Sequence, residues 1–274
     1  MTSIDFTKMN GCGNDFILID NRDRHLDESQ LPALVTGICR RRLSVGADGV
    51  ILIERSQQAD FRWRFFNADG SGGEMCGNGA RCAARYAVIH GIAGEELRFE
   101  TEAGLITARV NGAQVRVNLT DPGELTLDRP LVLSGGEWRI AAVNTGVPHV
   151  VARVPDVDAL DVVAVGREIR RHPDFAPAGT NANFISVDAA GAISIRTYER
   201  GVEDETLACG TGAAAGAIVA AETLGLVSPV RLRTRSGETL TVHFARRGGR
   251  FCDILQDGPA RLVFTGRLHE EAWR

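Results

Sequence analysis

The chain has 274 residues, with 31 Lys and Arg against 35 Asp and Glu, and a formal net charge of −4. Its 44% hydrophobic and 24% charged content is that of a globular protein whose core is large enough to need no disulfide or metal staples. The negative balance leaves no electrostatic footprint for nucleic acid; the longest apolar stretch, 213–221, is far too short for a membrane span; and Lys8 is the single lysine, so a pyridoxal phosphate enzyme would have to use it.

In chain order, residues 16–19 read as a strand and 27–41 as a short helix. Strands are expected at 50–53 and 61–65, then a helix from just after Cys76 to about His90. A hairpin follows at 97–101 and 106–110, with Gly104 in its turn. A boundary is expected near 125–133. Beyond it come a strand at 150–153, a helix at 158–171, strands at 184–187 and 193–198, and a helix from just after Cys209 to about Leu224. A last hairpin at 230–234 and 240–244 turns at Gly237.

The second list repeats the first. C-G-x-G-A occurs at Cys76 and again at Cys209, an offset of 133 residues. Gly13 and Gly146, Gly46 and Gly179, and Thr101 and Thr234 pair at the same offset. Ordered matches at one spacing indicate an internal duplication. The expected fold is therefore α+β, with two pseudo-symmetric domains, each a curved mixed β-sheet or barrel around a central helix. The expected domains are 1–128 and 129–263, with the tail 264–274 returning to the first.

Duplication sets Cys76 and Cys209 at equivalent helix starts, and two facing domains would bring them to opposite sides of a cleft. Asn78 and Thr211 suit helix capping. A cysteine at a helix N-terminus has its thiolate favoured by the dipole, and bare glycine amides there suit a carboxylate. A thiolate on one face and a thiol on the other can invert a stereocentre: one removes a proton while the other delivers one. Two other patterns overlap these residues. Gly210 opens a G-x-G-x-x-A run, but a dinucleotide site would need a preceding strand and an acid about 20 residues on, whereas the nearest later acid is Glu222. A redox pair of Cys76 and Cys209 is the other, although redox pairs usually lie close in sequence. Six cysteines without CxxC or zinc spacing, and a start at 1–10 without an apolar run, point to free thiols in the cytoplasm. Cys39, Cys82 and Cys252 read as structural; Cys12 stays open.

The segments 8–16, 66–71, 75–82, 180–184, 198–201 and 208–212 together resemble diaminopimelate epimerases, in family order and over nearly the whole chain. The resemblance implies interconversion of LL- and meso-diaminopimelate, on the route to lysine and peptidoglycan, without pyridoxal phosphate or metal. It implies Cys76 and Cys209 as the two bases, with His149 and Glu199 assisting them. It assigns the α-carboxylate to Gly77, Asn78, Gly210 and Thr211, and the distal end of the substrate to Asn14, Asn67, Asn181, Glu199 and Arg200. The expected partner is this small molecule, with neither nucleic acid nor membrane, and a homodimer stays open. Other readings are a racemase of the same fold with another substrate, or a thiol-redox protein. Three departures stand out: Val147 replaces a usual Asn, Gly49 a frequent Gln, and the Arg200-to-Cys209 segment is one residue longer than in some members.

Overall fold

The computed structural model describes residues 3–24 and 26–274. The chain divides into two compact units: one runs to Val117 and takes up Gly258–Arg274, and the other is Asn118–Asp257.

The first unit holds β1 (Ile4–Gly11), β2 (Asn14–Asp20), α1 (Leu31–Cys39), β3 (Gly49–Glu54), β4 (Phe61–Asn67), β5 (Gly72–Gly73), α2 (Gly77–Ile89), β6 (Glu96–Thr101), β7 (Gly104–Asn111) and β8 (Gln114–Asn118). The second holds β9 (Thr126–Leu133), β10 (Gly136–Asn144), β11 (Pro148–Arg153), α3 (Val162–Arg171), β12 (Asn181–Val187), β13 (Ile193–Glu199), β14 (Asp204–Thr206), α4 (Gly210–Leu224), β15 (Val230–Arg233), β16 (Thr239–Arg247) and β17 (Arg250–Pro259). The last strand, β18 (Arg261–Leu268), pairs antiparallel with β1. The helix expected at 27–41 begins with a short 3-10 turn at Glu28–Gln30, capped by Asp27, and becomes α-helical only from Leu31. The stretch 125–133 is strand from Thr126 on, because Leu131 and Leu133 alternate inward and pair with β10.

The pairings give each unit the same mixed sheet. In the first the strands run β18–β1–β2–β3–β4–β6–β7–β8. In the second they run β9–β10–β11–β12–β13–β15–β16–β17. The parallel pairs, β2–β3 and β4–β6, recur as β11–β12 and β13–β15. The architecture is α+β, with the duplication written into strand order.

The middle strand of each sheet is covered on both faces, so nearly all of it is buried. Every residue of β3 is buried. Val50 and Leu52 join the cluster formed with Leu34, Val35 and Ile38 of α1, while Ile51 turns the other way and would lie 3.2 Å from a Cβ added at Gly79 of α2. Successive strand side chains alternate faces, so one strand serves two helices. In β12, Ala182 and Phe184 face the α3 cluster, and Asn183 and Ile185 face Gly212 and Gly216 of α4. The central helices are correspondingly buried nearly all round, and small residues let the strands approach them.

One such approach makes a test. A Cβ at Gly166 of α3 would sit 2.3 Å from Tyr198 Cβ on β13, with Tyr198 fully buried. Neither atom can rotate away, so Gly166→Ala should destabilise the chain by roughly 1–3 kcal/mol through overpacking, read as a lower urea midpoint at unchanged m. An unchanged midpoint would mean that α3 lifts off the sheet at little cost.

Candidate active site

Each cysteine is itself the helix cap. Cys76 has extended backbone (φ −144, ψ 115) and its Sγ accepts the Gly79 amide of α2 at 3.5 Å. Cys209 repeats this on α4 (φ −113, ψ 119), with Sγ accepting the Gly212 amide at 3.3 Å. The caps expected at Asn78 and Thr211 are thereby corrected: a cap stands outside the helix with non-helical backbone, and these two lie inside the first turn. Each sulfur therefore receives an amide hydrogen bond and the positive end of a helix dipole, which favours the thiolate. The helix ladder offers no acceptor to the first-turn amides of Gly77 and Asn78, or of Gly210 and Thr211.

In the first unit a polar chain leads to Cys76. Its thiol donates to Asn14 Oδ1 at 3.5 Å, and Asn78 Nδ2 donates to the same oxygen at 3.3 Å. Asn14 Nδ2 in turn donates to Asp48 Oδ2 at 2.7 Å, which orients the amide with its oxygen toward the cysteine. Arg41 bridges Asp48 and Asp15 at 2.8 and 2.6 Å. Burial would raise the Asp15 carboxyl, but the contacts with Arg41 and Lys8 outweigh it and hold it below the usual carboxylate range. Lys8, 6% exposed, lies 2.6 Å from Asp15 Oδ2, so the single lysine is committed to an internal ion pair. Asn67, at the end of β4, donates to Ser71 Oγ at 3.0 Å. Gly49 leaves no room for a longer residue: a Cβ would lie 2.5 Å from the Phe66 carbonyl and 2.7 Å from the Phe65 ring.

In the second unit Asn181, at the start of β12, braces two neighbours. Its Oδ1 accepts the Arg200 amide at 2.8 Å and its Nδ2 donates to the Pro148 carbonyl at 3.0 Å. Arg200 Nη1 donates to Ala178 O at 3.1 Å, and Glu199 accepts from Thr206 Oγ1 at 2.9 Å. Thr211 Oγ1 lies 3.5 Å from Cys209 Sγ, and its carbonyl accepts from Thr145 Oγ1 at 3.0 Å. His149 on β11 is 2% exposed. Burial, and then the Arg200 charge, push its pKa down to about 3, so the ring is neutral.

The remaining thiols differ from these two. Burial pushes Cys39 up to about 12 and raises Cys82 as well. Cys12 is fully buried in the tight turn between β1 and β2, with φ 57, and accepts from Arg81 Nη2 at 3.5 Å. Cys252 is partly exposed on β17 and donates to Ala245 O at 3.8 Å. The residues supporting the site that motif reading passed over are Asp15, Arg41 and Asp48 in the first unit and Asn183 and Thr197 in the second. A polar residue between apolar neighbours in a buried strand, as Asn183 is between Ala182 and Phe184 in β12, is the signal that marks one of them.

The diaminopimelate epimerase family model matches residues 6–124 and 141–263. The chain belongs to the diaminopimelate epimerase family. It is 47% identical over 281 residues to the diaminopimelate epimerase of Aquifex aeolicus (strain VF5), covering 98% of this chain and 99% of the relative. It is 45% identical over 267 residues to that of Chlorobaculum tepidum, covering 95% and 99%. Among solved structures, a PhzF-family phenazine biosynthesis protein of Bacillus anthracis is similar in fold, with a TM-score of 0.77 at 17% identity, covering 98% of this chain and 100% of that one. As a member of the diaminopimelate epimerase family the chain is an isomerase, and each matched segment contains one cysteine-capped helix. No described helix is long and apolar enough to cross a membrane.

Proposed function

We propose that this chain interconverts LL- and meso-diaminopimelate, without a cofactor, by a two-base reaction of Cys76 and Cys209. The observation that carries this reading is the repeated cap: each unit of a diaminopimelate epimerase family member presents a cysteine sulfur at the N-terminus of its central helix. One cysteine, as thiolate, takes the α-proton. The electron pair left on the α-carbon spreads into the α-carboxylate, whose oxygens accept from the first-turn amides at Gly77, Asn78, Gly210 and Thr211. The dipoles of both helices stabilise that charge as it develops. The other cysteine, as thiol, delivers a proton to the opposite face, and the configuration inverts. The roles of the two cysteines exchange with the direction of reaction.

Asn14, Asn67, Asn181, Glu199 and Arg200 hold the distal amino-acid end, and His149 and Glu199 assist the cysteines. Arg200 supplies the positive charge for the distal carboxylate, a group that a monocarboxylate amino acid lacks. The substrate is a small molecule, and we read the location as cytoplasmic; a homodimer is compatible with this reading and is measurable by sedimentation.

The test is direct. Purified protein incubated with LL-diaminopimelate in deuterated water, with no added cofactor, should form the meso isomer carrying deuterium at the inverted α-carbon. Absence of exchange would overturn the reading. Exchange with another amino acid in preference to diaminopimelate would keep the reaction and replace the substrate.

A further inference from the structure

His149 carries an orphan. Its Nε2 is buried and has no hydrogen-bond partner among the described residues, although the residue is only 2% exposed. Its other nitrogen is held by Asn183, a fully buried residue of β12.

The surroundings decide which way the Asn183 amide points. Its Nδ2 lies 2.8 Å from the Val150 carbonyl, which can only accept, so the group there is the donor. Its Oδ1 accepts from Thr197 Oγ1 at 2.9 Å. The second Nδ2 hydrogen is then left for His149 Nδ1, 3.1 Å away. Two hydrogens cannot share that line, so Nδ1 presents its lone pair. A neutral imidazole with a lone pair on Nδ1 has its proton on Nε2. Asn183 is also packed against the helix start: its Oδ1 would be 2.3 Å from a Cβ at Gly212, the residue whose amide donates to Cys209 Sγ. The same side chain thus sets the ring of His149 and fills the space at the first turn of α4.

We infer that Asn183 is a positioning residue that locks His149 in its Nε2–H tautomer, so that His149 serves the reaction as a hydrogen-bond donor and not as a base. This rests on the active-site reading proposed above. A buried donor without an acceptor is costly, and a native protein that keeps one has a use for it. The acceptor is an anionic group of the reaction, because the Arg200 charge that bears on His149 favours an anion at the same place. Held this way, the ring cannot take a proton at Nε2, which already has one, and Nδ1 is occupied by Asn183. His149 then assists by stabilising negative charge from a buried position.

The resting enzyme gives the first test, independent of turnover. With 15N-labelled histidine, the ring nitrogens of His149, assigned by the signals lost in His149→Gln, should show a protonated Nε2 and a bare Nδ1. A protonated Nδ1 overturns the inference whatever the activity, whereas failure to turn over diaminopimelate with the Nε2–H signal present would overturn the functional reading alone. The second test is Asn183→Asp, which keeps shape and puts an acceptor beside Nδ1. The tautomer should reverse, and kcat should fall roughly tenfold or more, with KM changing less, as for a lost donor to developing charge. Reversal with unchanged kcat, or no reversal at all, would remove Asn183 from the mechanism. If Asn183→Asp fails to fold, the wild-type measurement still decides.

Discussion

Cys76→Ala and Cys209→Ala should each abolish epimerisation, lowering kcat by about a thousandfold or more, the upper part of the range for a lost general acid or base. The fold should survive: each substitution removes one sulfur cap, worth about 1 kcal/mol, and leaves the helix packed against its sheet. The informative measurement is isotope exchange. With one base gone, the remaining cysteine can reach the α-proton of only one configuration and can return a deuteron to that same face. One variant should therefore exchange the LL isomer and the other the meso isomer, with little inversion in either. Near-normal epimerisation by either variant, or exchange of the same isomer by both, would defeat the two-base assignment. Cys82→Ala is the control. Its sulfur is buried within α2 and burial raises its pKa, so the change should cost about 1 kcal/mol of stability and leave exchange intact.

Arg200→Ala should cost about 3–5 kcal/mol of transition-state stabilisation, read from kcat/KM for diaminopimelate, because it leaves the distal carboxylate without its charge partner. The structure favours a local effect. The Arg200 backbone is held by Asn181 Oδ1 at 2.8 Å, a bond the substitution keeps, while the guanidinium donates to the Ala178 carbonyl at 3.1 Å. The substitution therefore removes the charge and keeps the Asn181 bond to the turn. Arg200→Lys should recover part of the loss, since an ammonium restores charge but not the planar fork. Should Arg200→Ala be harmless, and a monocarboxylate amino acid be turned over faster than diaminopimelate, Arg200 would not read the distal end and another substrate would be indicated.

Much of this is legible in the sequence. The C-G-x-G-A pair marked two equivalent helix starts because glycine amides, an alanine-rich run and a preceding cysteine are local chemistry, and both helices begin there, at Gly77 and Gly210. The hairpins around Gly104 and Gly237 and the apolar runs of β3 and β12 were readable for the same reason: their signals lie within a few residues. The cap assignment was not. Cysteine is outside the usual capping set, and only the extended backbone of Cys76 and Cys209 made their sulfurs the acceptors.

The sequence by itself determined the duplication, the α+β class, the two cysteines and the family resemblance, because each is carried by residue type and spacing along the chain. The return of the tail to the first unit was expected from the sequence, but its pairing as a strand with β1 was decided only in three dimensions. β9 opens the second sheet, and the strand in its place in the first unit is β18, which pairs with β1 from more than 250 residues along the chain. No constant offset can reveal a partner that distant. The same holds for the polar groups beneath the cysteines. That Asn14 turns its oxygen to Cys76 follows from Asp48, and that Asn183 turns its Nδ2 to His149 Nδ1 follows from Val150 and Thr197. Those orientations depend on which donors and acceptors packing brings within about 3 Å, and a linear sequence does not record that.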